Sequence, residues 1–188
     1  MKKQIIIGVT GASGVIYGIE LIKELAKKDL EIHLIISDSG KKNITIETEY
    51  SVADVESMAD KVYDNADLSA PPASGSFLTS GMIVAPCTIK TLSGIANSYS
   101  DNLIVRAADV VLKEKRKLVL LVRETPLHKG HLQLMTTAAD LGAHILPPIP
   151  SFYNYPKTIE DIIHQTIGKV FDYLGIDHNL YQRWGENK

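Results

Sequence analysis

The chain holds a single cysteine, Cys87, which excludes an intrachain disulfide framework and fits a reducing compartment. It has no excess of either charge: 20 Lys and Arg stand against 22 Asp and Glu, a formal net charge of −2. A general nucleic-acid binder gains affinity by releasing phosphate counterions, so none is expected from that balance. Long hydrophobic runs are missing too. The first one, Ile5-Ile6-Ile7, is soon broken by Gly8 and Thr10. Neither a secretion signal nor a membrane span is expected, and cytoplasmic residence is. No internal repeat or low-complexity tract is present. His128 and His131 are spaced like ligands but have no third partner in a recognisable motif, so no metal site is expected. What remains is an ordinary globular balance, 45% hydrophobic and 22% charged over 188 residues. That is enough for one domain spanning residues 1–188, with a polar tail from about residue 175 closing a site or an interface.

Short apolar runs alternate with amphipathic stretches. Strands are expected at residues 5–9, 31–37, 82–85, 118–122 and 144–146. Helices are expected at 15–28, 88–97, 102–115, 130–141 and 159–174, and loops at 65–79 and 147–156. The strand runs are continuous in β-branched residues and Leu, without polar alternation, as in strands covered on both faces. Their alternation with helices predicts a three-layer αβα sandwich around a doubly wound, Rossmann-like or flavodoxin-like parallel sheet.

Ligands in such sheets sit beyond the carboxyl ends of the strands, so those ends carry the functional reading. Gly8-Val9-Thr10-Gly11-Ala12-Ser13-Gly14 lies between a strand and a helix, which favours phosphate binding by free helix N–H groups and by the Thr10 and Ser13 hydroxyls. Ser37 would face a mononucleotide, while Asp38 is either a helix cap or a ligand contact. Pro86 ends the next strand, with Thr88 as N-cap, and Thr88 and Thr91 can both donate hydrogen bonds to a ring system or a ribityl chain. Cys87 reads as a small buried residue, not as a nucleophile. Arg123-Glu124 is either a partly exposed ion pair or a phosphate-binding and proton-moving couple. The stiff Pro147–Pro150 segment would hold Tyr153 in place, as a structural turn or as part of a site. The run from Lys113 to Lys117 reads as the solvated end of a helix, and Trp184 as a cap on an apolar pocket or a subunit contact.

Residues 8–14, 71–76, 85–96, 106–127 and 147–153, and less distinctively Glu47-Thr48-Glu49, together resemble the UbiX-type flavin prenyltransferases. That family includes the small B subunits once named phenolic or aromatic acid decarboxylases. The resemblance implies a homo-oligomer, commonly a dodecamer, that binds FMN between subunits. It implies transfer of a dimethylallyl group from dimethylallyl monophosphate to N5 and C6 of reduced FMN, without a metal, giving prenylated FMN for a UbiD-type decarboxylase. FMN contacts carried over by position are Gly11, Ala12, Ser13, Ser37, Thr88, Ile89, Lys90, Thr91 and Arg123. The prenyl phosphate would meet Tyr153 and Lys169, with Arg106 and Lys113 supplied by a neighbouring subunit. Some members carry Arg where Lys169 stands, so here a point charge replaces a planar fork.

The chemistry of the residues agrees with this division. A metal-free site needs several fixed cations around a departing phosphate, which revises the reading of Lys113 but leaves Lys115, Arg116 and Lys117 on a solvated face. The allyl fragment needs a water-poor pocket, with Trp184 stacked against it. Glu124, with Ser13 relaying to the phosphate, is the acid–base candidate, and Glu47 the second. Two alternatives remain: a direct FMN-dependent decarboxylase of aromatic acids, and a non-catalytic FMN carrier subunit.

Overall fold

The structure, a computed structural model, describes residues 2–185. The chain forms two compact units, divided between Pro147 and Pro148.

The first unit is built on six strands: β1 (Lys3–Val9), β2 (Leu30–Ile36), β3 (Lys61–Asp64), β4 (Gly81–Cys87), β5 (Lys117–Val122) and β6 (His144–Ile145). All pair in parallel, in the order β3-β2-β1-β4-β5-β6. Its helices are α1 (Val15–Ala26), α2 (Asp38–Glu47), α3 (Val52–Ser57), α4 (Ile89–Ala96), α5 (Leu103–Lys113) and α6 (Lys129–Asp140), with a 3-10 turn at Pro71–Ala73. Neighbouring residues of β1 point to opposite faces. A Cβ on Gly8 would lie 3.2 Å from Ile104 of α5, whereas Val9 packs 3.2 Å from the corresponding point on Gly18 of α1. Helices therefore cover both faces, which is why β1, β4 and β5 are buried at almost every position. On the α5 face, Ile6, Met82, Val84 and Leu120 interlock with Ile104 and Ala108.

The expected doubly wound parallel sheet is thus present, with three additions. β3 is a four-residue edge strand carrying Lys61 and Asp64, too short and polar to show periodicity. α2 has a polar sequence that buries only Gly40 and Ile44. α3 has six residues and is defined by its capping box, in which Ser51 and Asp54 satisfy each other's backbone N–H groups. Pro86 does not end β4: the ladder to β5 shifts register after Val84 and resumes at Cys87 opposite Val122.

The second unit carries the Pro-rich loop and α7 (Ile159–Leu174), started by a Thr158/Asp161 capping box and ended by Gly175 at φ 77°. Among the described residues no helix is long and apolar enough to cross a membrane.

Candidate functional site

The strand order reverses between β1 and β4, which leaves a crevice at their carboxyl ends. Thr10 joins the two strand ends. Its hydroxyl donates to Pro86 O at 2.7 Å and accepts from Thr88 N at 2.9 Å. That hydroxyl is 2% exposed and fully engaged, so it is a structural tie and not the expected phosphate donor. Thr88 is the N-cap of α4, as expected. Its Oγ accepts from Thr91 N at 3.1 Å and donates to Thr91 Oγ1 at 3.0 Å. Cys87 is fully buried, and burial pushes its thiol far up, leaving no thiolate for nucleophilic work.

At the N-terminus of α1, two of the amides expected to be free for a ligand are already taken. Glu47, the last residue of α2, places Oε2 2.7 Å from Gly14 N and 3.3 Å from Val15 N. Gly14, at φ 97°, has no side chain with which to cap the helix, so a carboxylate from 33 residues away takes that role at the positive end of the helix dipole. Ser13, exposed in the same turn, immediately precedes the amides that Glu47 holds. Ser37, not Asp38, caps α2, accepting from Gly40 N at 3.1 Å; Asp38 is the first helical residue. Gly11 must be glycine because a Cβ there would lie 2.2 Å from Ser39 Cβ.

These elements enclose a cleft of 720 Å³ lined by five of the expected flavin contacts: Gly11, Ser37, Thr88, Lys90 and Thr91. Ala12, Ser13, Ile89 and Arg123 are not among its lining residues. Asn65, Tyr99, Asp101 and Asn102 line it too and were not anticipated. Two of them are helix-capping residues: Asn102 Oδ1 accepts from Val105 N, and Asn65 Oδ1 accepts from Ile104 N, each at 3.1 Å. An Asn before an apolar run is a legible cap, but nothing in the sequence brings Asn65 to the same helix end. Beside the cleft, Arg123 and Glu124 are exposed and form no ion pair with each other. Glu124 Oε1 accepts from Thr125 N at 3.0 Å.

Arg106 and Lys113 project elsewhere, onto the 71–77 loop. Arg106 Nε donates to Ala73 O at 3.1 Å while Nη1 pairs with Asp109 at 3.1 Å. Arg116, expected on a solvated face, instead donates from Nη1 to Phe77 O at 2.6 Å and from Nη2 to Gly75 O at 2.9 Å. The two guanidiniums thus hold three carbonyls of one loop. The same loop lies close to the end of α5, where a Cβ on Gly75 would come within 2.4 Å of Glu114 Oε1 and 3.0 Å of Lys113 Nζ. Lys113 itself pairs with Glu114 at 2.8 Å.

The second unit holds the other expected substrate residues. Tyr153 and Trp184 meet edge to face, with ring centroids 5.5 Å apart, and both line a 360 Å³ cavity with Asn154 and Arg183. Lys169 Nζ stands 5.2 Å from the centre of the Tyr181 ring. Its hydrogen bond to Tyr181 holds the ammonium above its ordinary value, against partial burial.

Residues 1–171 match the family described as Flavoprotein. A flavin prenyltransferase UbiX from Thauera aromatica is 53% identical over 185 residues, 98% of this chain and 95% of that protein. The flavin prenyltransferase UbiX of Escherichia coli K12 is 50% identical over 185 residues, 97% of this chain and 98% of that protein. Among solved structures, that of AnUbiX (PadA1) in complex with FMN and dimethylallyl pyrophosphate is similar at a TM-score of 0.98 and 41% identity, with 100% of both chains covered. A dodecameric FMN-dependent UbiX-like decarboxylase from Escherichia coli O157:H7 gives a TM-score of 0.94 at 46% identity over 96% of this chain and 98% of that one.

Proposed function

The chain belongs to the UbiX family of flavin prenyltransferases, and from that premise we propose that it joins the dimethylallyl group of a dimethylallyl phosphate to N5 and C6 of reduced FMN. The observation that carries this reading is the cleft at the reversal of strand order, lined by Gly11, Ser37, Thr88, Lys90 and Thr91. Its 720 Å³ lies within the range of small-ligand clefts, about 300–1,000 Å³. Its hydroxyls and the Lys90 ammonium suit a polar ring edge, a ribityl chain and a phosphate. Bound there, reduced FMN supplies the electron-rich positions that receive the allyl group.

The chain's own residues do the rest. Arg106, Lys113, Arg123 and Lys169 meet the prenyl phosphate and stabilise its growing charge as it departs. Tyr153 and Trp184 keep water from the allyl fragment. Glu124 removes the C6 proton. Its Oε1 is engaged by Thr125 N–H, which leaves Oε2 to take that proton, and Ser13 relays it to the departing phosphate. Glu47 is the second acid–base candidate, and its capping bonds favour a positioned carboxylate.

The working form is a homo-oligomer, a dodecamer like its Escherichia coli O157:H7 relative, with Arg106 and Lys113 reaching a neighbouring subunit's site. Prenylated FMN passes to a UbiD-type decarboxylase. Anaerobic incubation with reduced FMN and dimethylallyl monophosphate, then in parallel the pyrophosphate, tests the reading. Inorganic phosphate and a heavier flavin by mass spectrometry are expected. Flavin binding without phosphate release makes the chain an FMN carrier instead. CO2 release from an aromatic acid by the pure protein makes it a decarboxylase, the activity named for that same relative.

A further inference from the structure

Asp172 sits in the last turn of α7, where a carboxylate faces the negative end of the helix dipole and is locally unfavourable. Such a placement needs compensation, and the tail supplies it. Gly175 turns the chain, and residues 176–185 run back beside the helix. Arg183 grips both carboxylate oxygens, Nη2 to Oδ1 at 2.6 Å and Nη1 to Oδ2 at 3.1 Å. Tyr181 OH donates to Oδ2 at 2.5 Å. His178 Nδ1 accepts from Leu180 N at 3.2 Å, which puts the imidazole proton on Nε2, from which it is donated to Asp172 Oδ1 at 3.0 Å. Arg183 holds the Asp172 carboxyl well below the usual carboxylate range, helped by the Tyr181 and His178 hydrogen bonds against partial desolvation.

A second observation is independent of charge. Gly168, one turn earlier, lies under the same rings: a Cβ there would come within 2.4 Å of Tyr181 and 2.8 Å of His178. Glycine is less favourable than alanine inside a helix, and here its bare backbone gives the tail a seat.

We propose that Asp172 is a positioning residue that, with Gly168, docks the 176–185 tail along α7 and so holds Trp184 against Tyr153. Arg183 and Trp184 are adjacent, so the grip on the guanidinium sets the position of the indole. The catalytic consequence rests on the reading that Tyr153, Lys169 and Trp184 meet the prenyl phosphate; the docking itself does not.

Trp184 is the chain's only tryptophan, so its emission reports the tail alone. Asp172→Asn and Gly168→Ala are each expected to lower the steady-state fluorescence anisotropy of Trp184 by at least about a third, because the indole, largely exposed even in the docked tail, gains motion once the tail is released. Both are expected to raise KM for dimethylallyl monophosphate about tenfold with kcat nearly unchanged, the pattern of lost pre-organisation. FMN affinity is expected to hold, since the cleft-lining residues lie between Thr10 and Val105. Asp172→Glu should recover part of the anisotropy. Gly168→Ala keeps every donor and acceptor and favours the helix, so its effect does not come from unfolding. Wild-type anisotropy in both variants overturns the docking. Lowered anisotropy with an unchanged KM overturns its role at the substrate. A wild-type protein that makes no prenylated flavin defeats the functional reading, while anisotropy still decides the docking.

Discussion

Replacing Thr10 with valine removes one buried hydroxyl and almost no volume, which isolates the tie between β1 and β4. The hydroxyl's bond to Pro86 O is worth about 1 kcal/mol net. Its loss also leaves Thr88 N–H without its acceptor. That costs about 1 kcal/mol if water reaches it from the cleft and about 3 kcal/mol if none does. Thr10→Val should therefore destabilise the protein by about 2–4 kcal/mol, a fall in Tm of roughly 5–15 °C for a chain of this length. Thr10→Ser keeps both hydrogen bonds and loses one methyl group, about 1 kcal/mol. Urea denaturation followed by far-UV circular dichroism reads both. FMN affinity should fall more for valine, because Thr88 and Thr91 stand on the wall that the tie supports. If Thr10→Val matches wild type within about 0.5 kcal/mol, or serine costs as much as valine, the reasoning fails.

Glu47→Gln keeps a carbonyl for the α1 amides and should cost under about 1 kcal/mol, whereas Glu47→Ala should cost about 1–2 kcal/mol. Loss of prenyl transfer in the glutamine protein at near-wild-type stability would mark Glu47 as chemically active. Arg116→Ala removes the donors to Gly75 O and Phe77 O and should cost about 2–4 kcal/mol by denaturation; Arg116→Lys, which cannot fork to both carbonyls, should recover less than half. His33 is 2% exposed beside Tyr63, and burial pushes its imidazole below its ordinary value, against the pull of Glu31 and Asp60. As pH falls through about 6.5 the unfolded chain takes up this proton first, so stability should fall with pH there. His33→Gln should flatten that slope in denaturation series between about pH 7.5 and about pH 5.5.

The sheet was legible because its strands are continuous apolar runs, and Leu118–Val122 or Ile5–Val9 could serve nothing else in a polar-balanced chain. The capping role of Thr88 was legible for the same local reason. What escaped was decided by distant partners. Thr10 looks like a ligand donor until Pro86 O claims its proton, and the α1 amides look open until Glu47 arrives from the end of α2. Arg116 sits in a basic run that reads as solvated, yet its acceptors lie 39 and 41 residues away in a loop with no periodic pattern. β3 was missed because an edge strand needs neither length nor apolar alternation, only a neighbour.

The strand order has a consequence for a chain emerging from the ribosome. β1 and β2 can pair once residue 36 is made, but the other side of β1 belongs to β4, whose last residue is 87. In the interval the nascent protein presents Ile5, Ile6, Ile7 and Val9 along an unpaired backbone, an adhesive surface in a crowded cell. The finished sheet ends instead in a four-residue strand with two charges and a strand of only two residues, neither of which offers a stranger much to hold.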